Sequence, residues 1–235
     1  MEISGRKALV LGGTSGIGLA TASQLAGDGA SVVAASRDPS KALDGLTSGI
    51  ELLACDVLDR DALSGLFSDQ APFDILVCAA TGGARAAGPF LDMELDAYQG
   101  SFAKLWGYTN SVRLGVQHMT EKGVIVLISG APARRTKPGQ VALSSVGGAV
   151  EAFCRALAPE LAPRRINVVS PGIIDTPMFG ALGEERTNKL EGATAGHPIP
   201  RAGTADEVAQ GVLFTIRNEF VTGTTVDVDG GWLLS

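Results

Sequence analysis

"LVLGGTSGIGLA", residues Leu9 to Ala20, joins an apolar run to a helical pattern through glycines at 12, 16 and 18. Gly12 permits a tight turn, Gly16 lets the backbone approach a bound group, and Gly18 lets the following helix pack close to the strand. The first turn of a helix leaves N–H groups without partners, and its dipole favours negative charge. The stretch therefore predicts a diphosphate cradle made by Gly12, Thr14, Ser15, Gly16, Ile17 and Gly18. A ligand-free glycine turn gives similar letters, but the flanking strand and helix favour the binding reading.

Outward from this turn, short apolar runs recur at 7–11, 31–35, 50–54, 74–78, 123–128, 166–170 and 224–228. They are apolar on both faces or nearly so, as strands of a covered parallel sheet must be. Helical patterns lie between them: one ends at Gly29, two longer ones run over 91–119 and 140–161, and another opens at Thr204 with Glu207 completing a capping box. Pro159 is expected to disturb the end of the second long helix. The alternation predicts an α/β, Rossmann-type, doubly wound, seven-stranded parallel sheet with helices on both faces. One such domain accounts for residues 1–235. The longest region without a strand signal, about 174–204, is expected to form a lid over the binding edge.

The net charge of −6, with no basic run longer than Arg134-Arg135, argues against nucleic-acid and anionic-membrane partners. No apolar run reads as long enough to span a bilayer, and the first residues lack a signal-peptide pattern, so a cytoplasmic location is expected. Cys55, Cys78 and Cys154 are scattered with His118 and His197 at no ligand spacing, which reads as buried reduced thiols and no metal site.

After the second strand the chain offers Ser36 and Arg37 where a carboxylate would select the dinucleotide without a ribose phosphate. A guanidinium suits a 2′-phosphate, so NADP(H) is favoured over NAD(H). The other reading makes Arg37 an ordinary surface residue and gives the ribose to Asp38.

Taken together the chain resembles the short-chain dehydrogenase/reductase family over nearly its whole length. The family's T-G-x-x-x-G-x-G loop corresponds to Leu11–Gly18, its adenine-side D-V to Asp56-Val57, and its N-N-A-G to Cys78-Ala79-Ala80-Thr81. "SPGIIDTPM" (170–178) matches the P-G segment; the resemblance puts Pro171 and Gly172 in the cofactor site and has Ile174 and Thr176 face a nicotinamide. "IPRAGTADEVA" (199–209) and "VDGG" (228–231) match the C-terminal signature. Homodimers or homotetramers, built on the two long helices with Ala149, Phe153, Ala156 and Leu157 as packing surface, are implied by the same resemblance.

The family's Ser–Tyr–Lys group and supporting asparagine fall on Gly130, Leu143, Gly147 and Lys104. No tyrosine follows Tyr108 and no lysine lies between Lys137 and Lys189, so no shift of frame restores the motif. The chain is also similar to a divergent branch that lacks the tyrosine, with Lys104-Leu105-Trp106-Gly107 and Ser129-Gly130 as its marks. Lys104 and Ser129 are accordingly the candidate catalytic residues. Gly147 is expected to leave space for the ammonium of Lys104, desolvation to lower its pKa, and Ser129 to face the site only if the strand end bends. Tyr108 reads as core or subunit contact, Arg134, Arg135 and Lys137 as a loop placed to attract an acidic substrate or simply solvated, and His197 as a surface residue or one that nears the cofactor. These residues predict an oxidoreductase acting on a small carbonyl or alcohol. Two alternatives stand beside it: an inactive nucleotide-binding regulator or partner subunit, and a non-redox isomerase or lyase.

Overall fold

Strand β1 (Lys7–Leu11) lies at the centre of the molecule, paired in parallel with β2 (Ser31–Ser36) on one side and with β4 (Phe73–Cys78) on the other; β3 (Ile50–Ala54) lies beyond β2. The remaining sheet strands are β5 (Met119–Ile128) and β6 (Arg165–Pro171), followed, after the short strands β7 (Ile174–Asp175) and β8 (Gly203–Thr204), by β9 (Thr225–Val228). The computed structural model describes residues 1–42, 47–83 and 85–235. Its main sheet has the order β3-β2-β1-β4-β5-β6-β9 with every pairing parallel, the doubly wound architecture expected. Strand order reverses between β1 and β4, so the carboxyl ends of these two strands open a crevice.

Side-chain alternation along the strands divides the core into two layers. Leu9, Leu76, Ile125 and Leu127 point to the face covered by α2 (Arg60–Asp69), α4 (Ala103–Gly115) and α5 (Val141–Leu161). Val10, Val77, Val124 and Val126 point to the face covered by α1 (Gly16–Gly27) and α7 (Ala205–Arg217). Each fully buried aliphatic side chain contributes roughly 1.5–3 kcal/mol relative to exposure.

Several boundaries differ from expectation. The pattern over 91–119 resolves into α3 (Leu95–Ser101), a break at Phe102, and α4, and its last residue, Met119, already belongs to β5. Arg164 holds that early part of β5, donating to the carbonyls of Met119 and Thr120 at 3.1 and 3.0 Å. The second long helix does agree: α5 runs to Leu161, two residues past Pro159, where the loss of one backbone donor touches only its last turn. By length and composition alone α5 could cross a bilayer, contrary to the expectation that no segment is that long. It instead lies on the sheet, with Val150 and Cys154 buried and Cys154 Sγ 3.5 Å from the Ile166 carbonyl. Region 174–204 is not strand-free: β7 pairs with β8, and α6 (Glu184–Thr194) lies between them. Arg186, buried at its side chain, ties α6 to Asp175. At Thr204 the capping box forms with both bonds, 3.1 Å to the Glu207 N–H and 2.8 Å back from the Thr204 N–H.

Candidate active site

The crevice above β1 and β4 is part of one cavity of about 1130 Å³. All sixteen residues singled out for the nucleotide line it, and so do Lys104 and Ser129. Steric necessity explains the cradle. A Cβ on Gly12, whose φ is +81°, would lie 2.5 Å from the Ala80 nitrogen, and one on Gly18 would lie 2.0 Å from the Gly12 carbonyl oxygen. Gly16 has φ +50°, and a Cβ there would meet the Thr176 methyl at 3.4 Å. The opening residue Ser15 makes no side-chain cap to α1, so the first-turn amides are not covered by it. A cradle that any side chain would fill, at the start of a helix, suits a dinucleotide diphosphate.

Around the cradle, Thr14 donates to the Ser36 hydroxyl at 2.8 Å, fixing the ends of β1 and β2 together. Arg37 is exposed at the rim, while Asp38 accepts from the backbone N–H and the hydroxyl of Ser40. Asp56 accepts from the Leu58 N–H at 3.0 Å, and Asn110 of α4 donates to the Val57 carbonyl at 3.1 Å. The Ala79 N–H continues the ladder onto Leu11. Gly172 is forced by close approach, since a Cβ there would meet the Asp229 carbonyl oxygen at 2.6 Å. Thr176 is buried beside Gly16; Ile174 lines the cavity but also packs in the apolar layer under α7.

Toward β5 the cavity changes character. Gly130, Leu143, Gly147 and Lys104 converge on its wall. Lys104 projects from the first turn of α4, and its Nζ donates to the Ser129 carbonyl at 3.2 Å, with the Tyr108 ring centroid 5.7 Å away. Burial, then the neighbouring Arg85 guanidinium, pushes the Lys104 pKa down to about 7. Tyr108 is itself core, 1% exposed, its hydroxyl donating to the Ile128 carbonyl at 3.1 Å.

Two expectations about this wall need correction. Gly147 leaves no ammonium-sized space: a Cβ there would lie 2.9 Å from the Ala133 Cβ and 3.3 Å from Ser129 Oγ. Nor does Ser129 require a bent strand. Ile125 and Leu127 face α4 and α5, so the same alternation carries Ser129 to that side, where its hydroxyl donates to the Gly147 carbonyl at 3.2 Å. In the basic loop after β5, Arg134 is engaged by Glu151 and Asp227, and Arg135 donates to the Leu233 carbonyl. Of the three cations in that loop, Lys137 alone lines the cavity. His197 is not a surface residue; it is 7% exposed, its ring 5.4 Å from that of Trp232, and burial with the nearby Lys137 lowers its pKa. All three cysteines are buried free thiols; burial raises Cys55 to about 11 and Cys78 and Cys154 to about 12.

Sequence reasoning passed over Arg85. It follows β4, and loops after the carboxyl ends of strands line the crevice in such folds, a rule that was available from the letters. Its guanidinium reaches across to the Met178 sulfur.

A parallel sheet with a glycine cradle at its reversal point defines a Rossmann-type nucleotide fold. A family model described as enoyl-(acyl carrier protein) reductase matches residues 12–233. The chain is 31% identical over 244 residues to L-xylulose reductase of Bos taurus, covering 99% of this chain and 98% of that one. It is 32% identical over 247 residues to carbonyl reductase (NADPH) 2 of Sus scrofa, covering 100% and 99%. A solved structure of a small-chain dehydrogenase in complex with NADPH superposes with a TM-score of 0.84 at 29% identity, covering 99% of this chain and 100% of that one. The chain belongs to the short-chain dehydrogenase/reductase family of oxidoreductases, which use nicotinamide cofactors.

Proposed function

We propose that this protein is an NADP(H)-dependent oxidoreductase that reduces a small carbonyl compound, with Lys104 in place of the missing tyrosine as proton donor. The observation that carries the reading is one cavity holding both the glycine cradle and a lysine amine whose pKa is about 7. Bound NADPH supplies a hydride. The chain's own residues do the rest: the amides opening α1 hold the diphosphate, Arg37 takes the 2′-phosphate, and Thr176 and the Pro171-Gly172 turn border the nicotinamide. Asp38 already accepts from Ser40, which favours Arg37 over the carboxylate as the ribose-end selector. The NADPH in the similar structure and in the name of the carbonyl reductase supports the same choice.

Lys104 is held by the Ser129 carbonyl, so its ammonium has donors left for a substrate oxygen. An acid with a pKa near the working pH donates its proton at little cost and recovers it from solvent. Ser129 is a positioning residue: its carbonyl orients Lys104, and its hydroxyl closes the slot at Gly147. Region 174–204, anchored by Arg186 to Asp175, is the lid of a single domain, and α4 and α5 carry the subunit contact of a homo-oligomer working in the cytoplasm.

The test is NADPH titration followed by a carbonyl panel with wild type and Lys104→Met. Binding with turnover that the substitution abolishes supports the reading. A nucleotide-binding subunit without turnover is the second reading, favoured by the apolar Leu143 and the closed slot at Gly147. It predicts tight NADPH binding and no reduction of any carbonyl.

A further inference from the structure

The cations of this cavity are distributed unevenly. Asp38 and Asp56 are the only carboxylates that line it among the described residues, and both sit beyond β2 and β3. Between β3 and β5 lie four strand spacings of about 4.8 Å each. On the far side, Arg85, Lys104, Lys137 and Lys189 line the cavity with no ion-pair partner among the described residues. Arginines outside the cavity are different: Arg134, Arg186, Arg201 and Arg217 all sit on carboxylates. In a chain of net charge −6, unpaired cations gathered at one end of a cavity need a reason.

Resting on the function proposed for this cavity, we propose that the substrate carries a carboxylate, which Arg85 and Lys137 hold beside Lys104. Both cations are placed for it. Among the described residues Arg85 donates only to a thioether, a weak acceptor, so most of its fork is available for bidentate contact with an anion. Lys137 is set by its N–H bond to the Gln140 side chain at 2.9 Å, and its ammonium lies 4.9 Å from the Trp232 ring centroid at the cavity wall. Burial first, and then repulsion from Arg85, lowers the Lys104 pKa, and an anion entering between the two cations relieves that repulsion. The cradle and Arg37 lie on the β1–β2 side and account for the phosphates of the nucleotide separately. Leu143, Val146, Phe179 and Trp232 complete the wall and suit an apolar body behind the charged head.

The experiment measures binding of 2-oxo acids, from pyruvate to benzoylformate, against their methyl esters by calorimetry. NADP+ is present at saturation, so the ketone cannot be reduced, and the series is repeated without nucleotide. Acids are expected to bind about tenfold more tightly than esters. Arg85→Gln and Lys137→Gln should each remove most of that preference while leaving the NADPH affinity as in wild type. Equal binding of acid and ester, a preference that survives both substitutions, or no binding of either ligand overturns the proposal. So does a loss of NADPH affinity in Arg85→Gln, which would assign that cation to the nucleotide. Acid-selective binding without reduction of any carbonyl by NADPH would keep the anion site and reject the redox reading.

Discussion

The two ends of the cavity obey different constraints. At the β1 end, backbone approaches backbone so closely that Gly12 and Gly18 admit no side chain. At the β5 end the wall is made largely of side chains, Leu143 and Lys104 among them, and the proposed function places the rearranged reacting group there. A surface defined by backbone amides changes only if the fold changes. A surface defined by side chains can be rewritten one residue at a time, and the proposed function takes this one to have been.

If that contrast is right, Lys104→Met should be the most damaging change to turnover, lowering kcat/KM by about 10²–10⁴ with NADPH affinity intact. The pH profile sharpens it. Carbonyl reduction needs the ammonium form, so kcat/KM should fall as pH rises through about 7 and alcohol oxidation should rise; both dependences should vanish in Lys104→Met. Gly12→Ala should act at the opposite end, weakening NADPH about 100-fold in a titration, since its Cβ must displace the Ala80 backbone. Arg37→Ala should cost about tenfold for NADPH and little for NADH, measured as a ratio of dissociation constants. The smallest effect is expected from Gly147→Ala. Crowding Ala133 and Ser129 should destabilise by about 1–3 kcal/mol, read as a drop of a few degrees in Tm. A Gly147→Ala variant as stable as wild type would break the claim that the slot is closed.

The sheet was legible because its strands are apolar on both faces, a pattern that strands acquire when helices cover both sides of them. Its edges were less so. "MTEK" at 119–122 carries no strand signal of its own and joins β5 through pairing with Phe73 and the carbonyl bonds from Arg164. Helix α6 hid in a polar stretch, "EERTNKLEGAT", whose order comes from Arg186 reaching Asp175. The cradle was readable because three glycines at fixed spacing, between a strand and a helix, match the steric demands of a phosphate turn one by one. Arg85 was not, because nothing in its own neighbourhood sets it apart; its place depends on β4, α4 and the Met178 segment coming together. Gly147 misled for a related reason: an absent side chain in a sequence looks like room, and in a packed structure the neighbours have already taken it.

The amine of Lys104 also has a thermodynamic signature that needs no substrate. Its pKa is about 7 in the fold against 10.5 for an ordinary lysine, so between those values the unfolded chain binds the extra proton. Stability from this group therefore rises with pH across that window, and its penalty is complete below it. Lys104→Met should melt higher than wild type at pH 6 and gain far less at pH 10. A lysine at this position therefore costs the folded state stability at neutral and acidic pH, a cost that the proposed role as proton donor would explain.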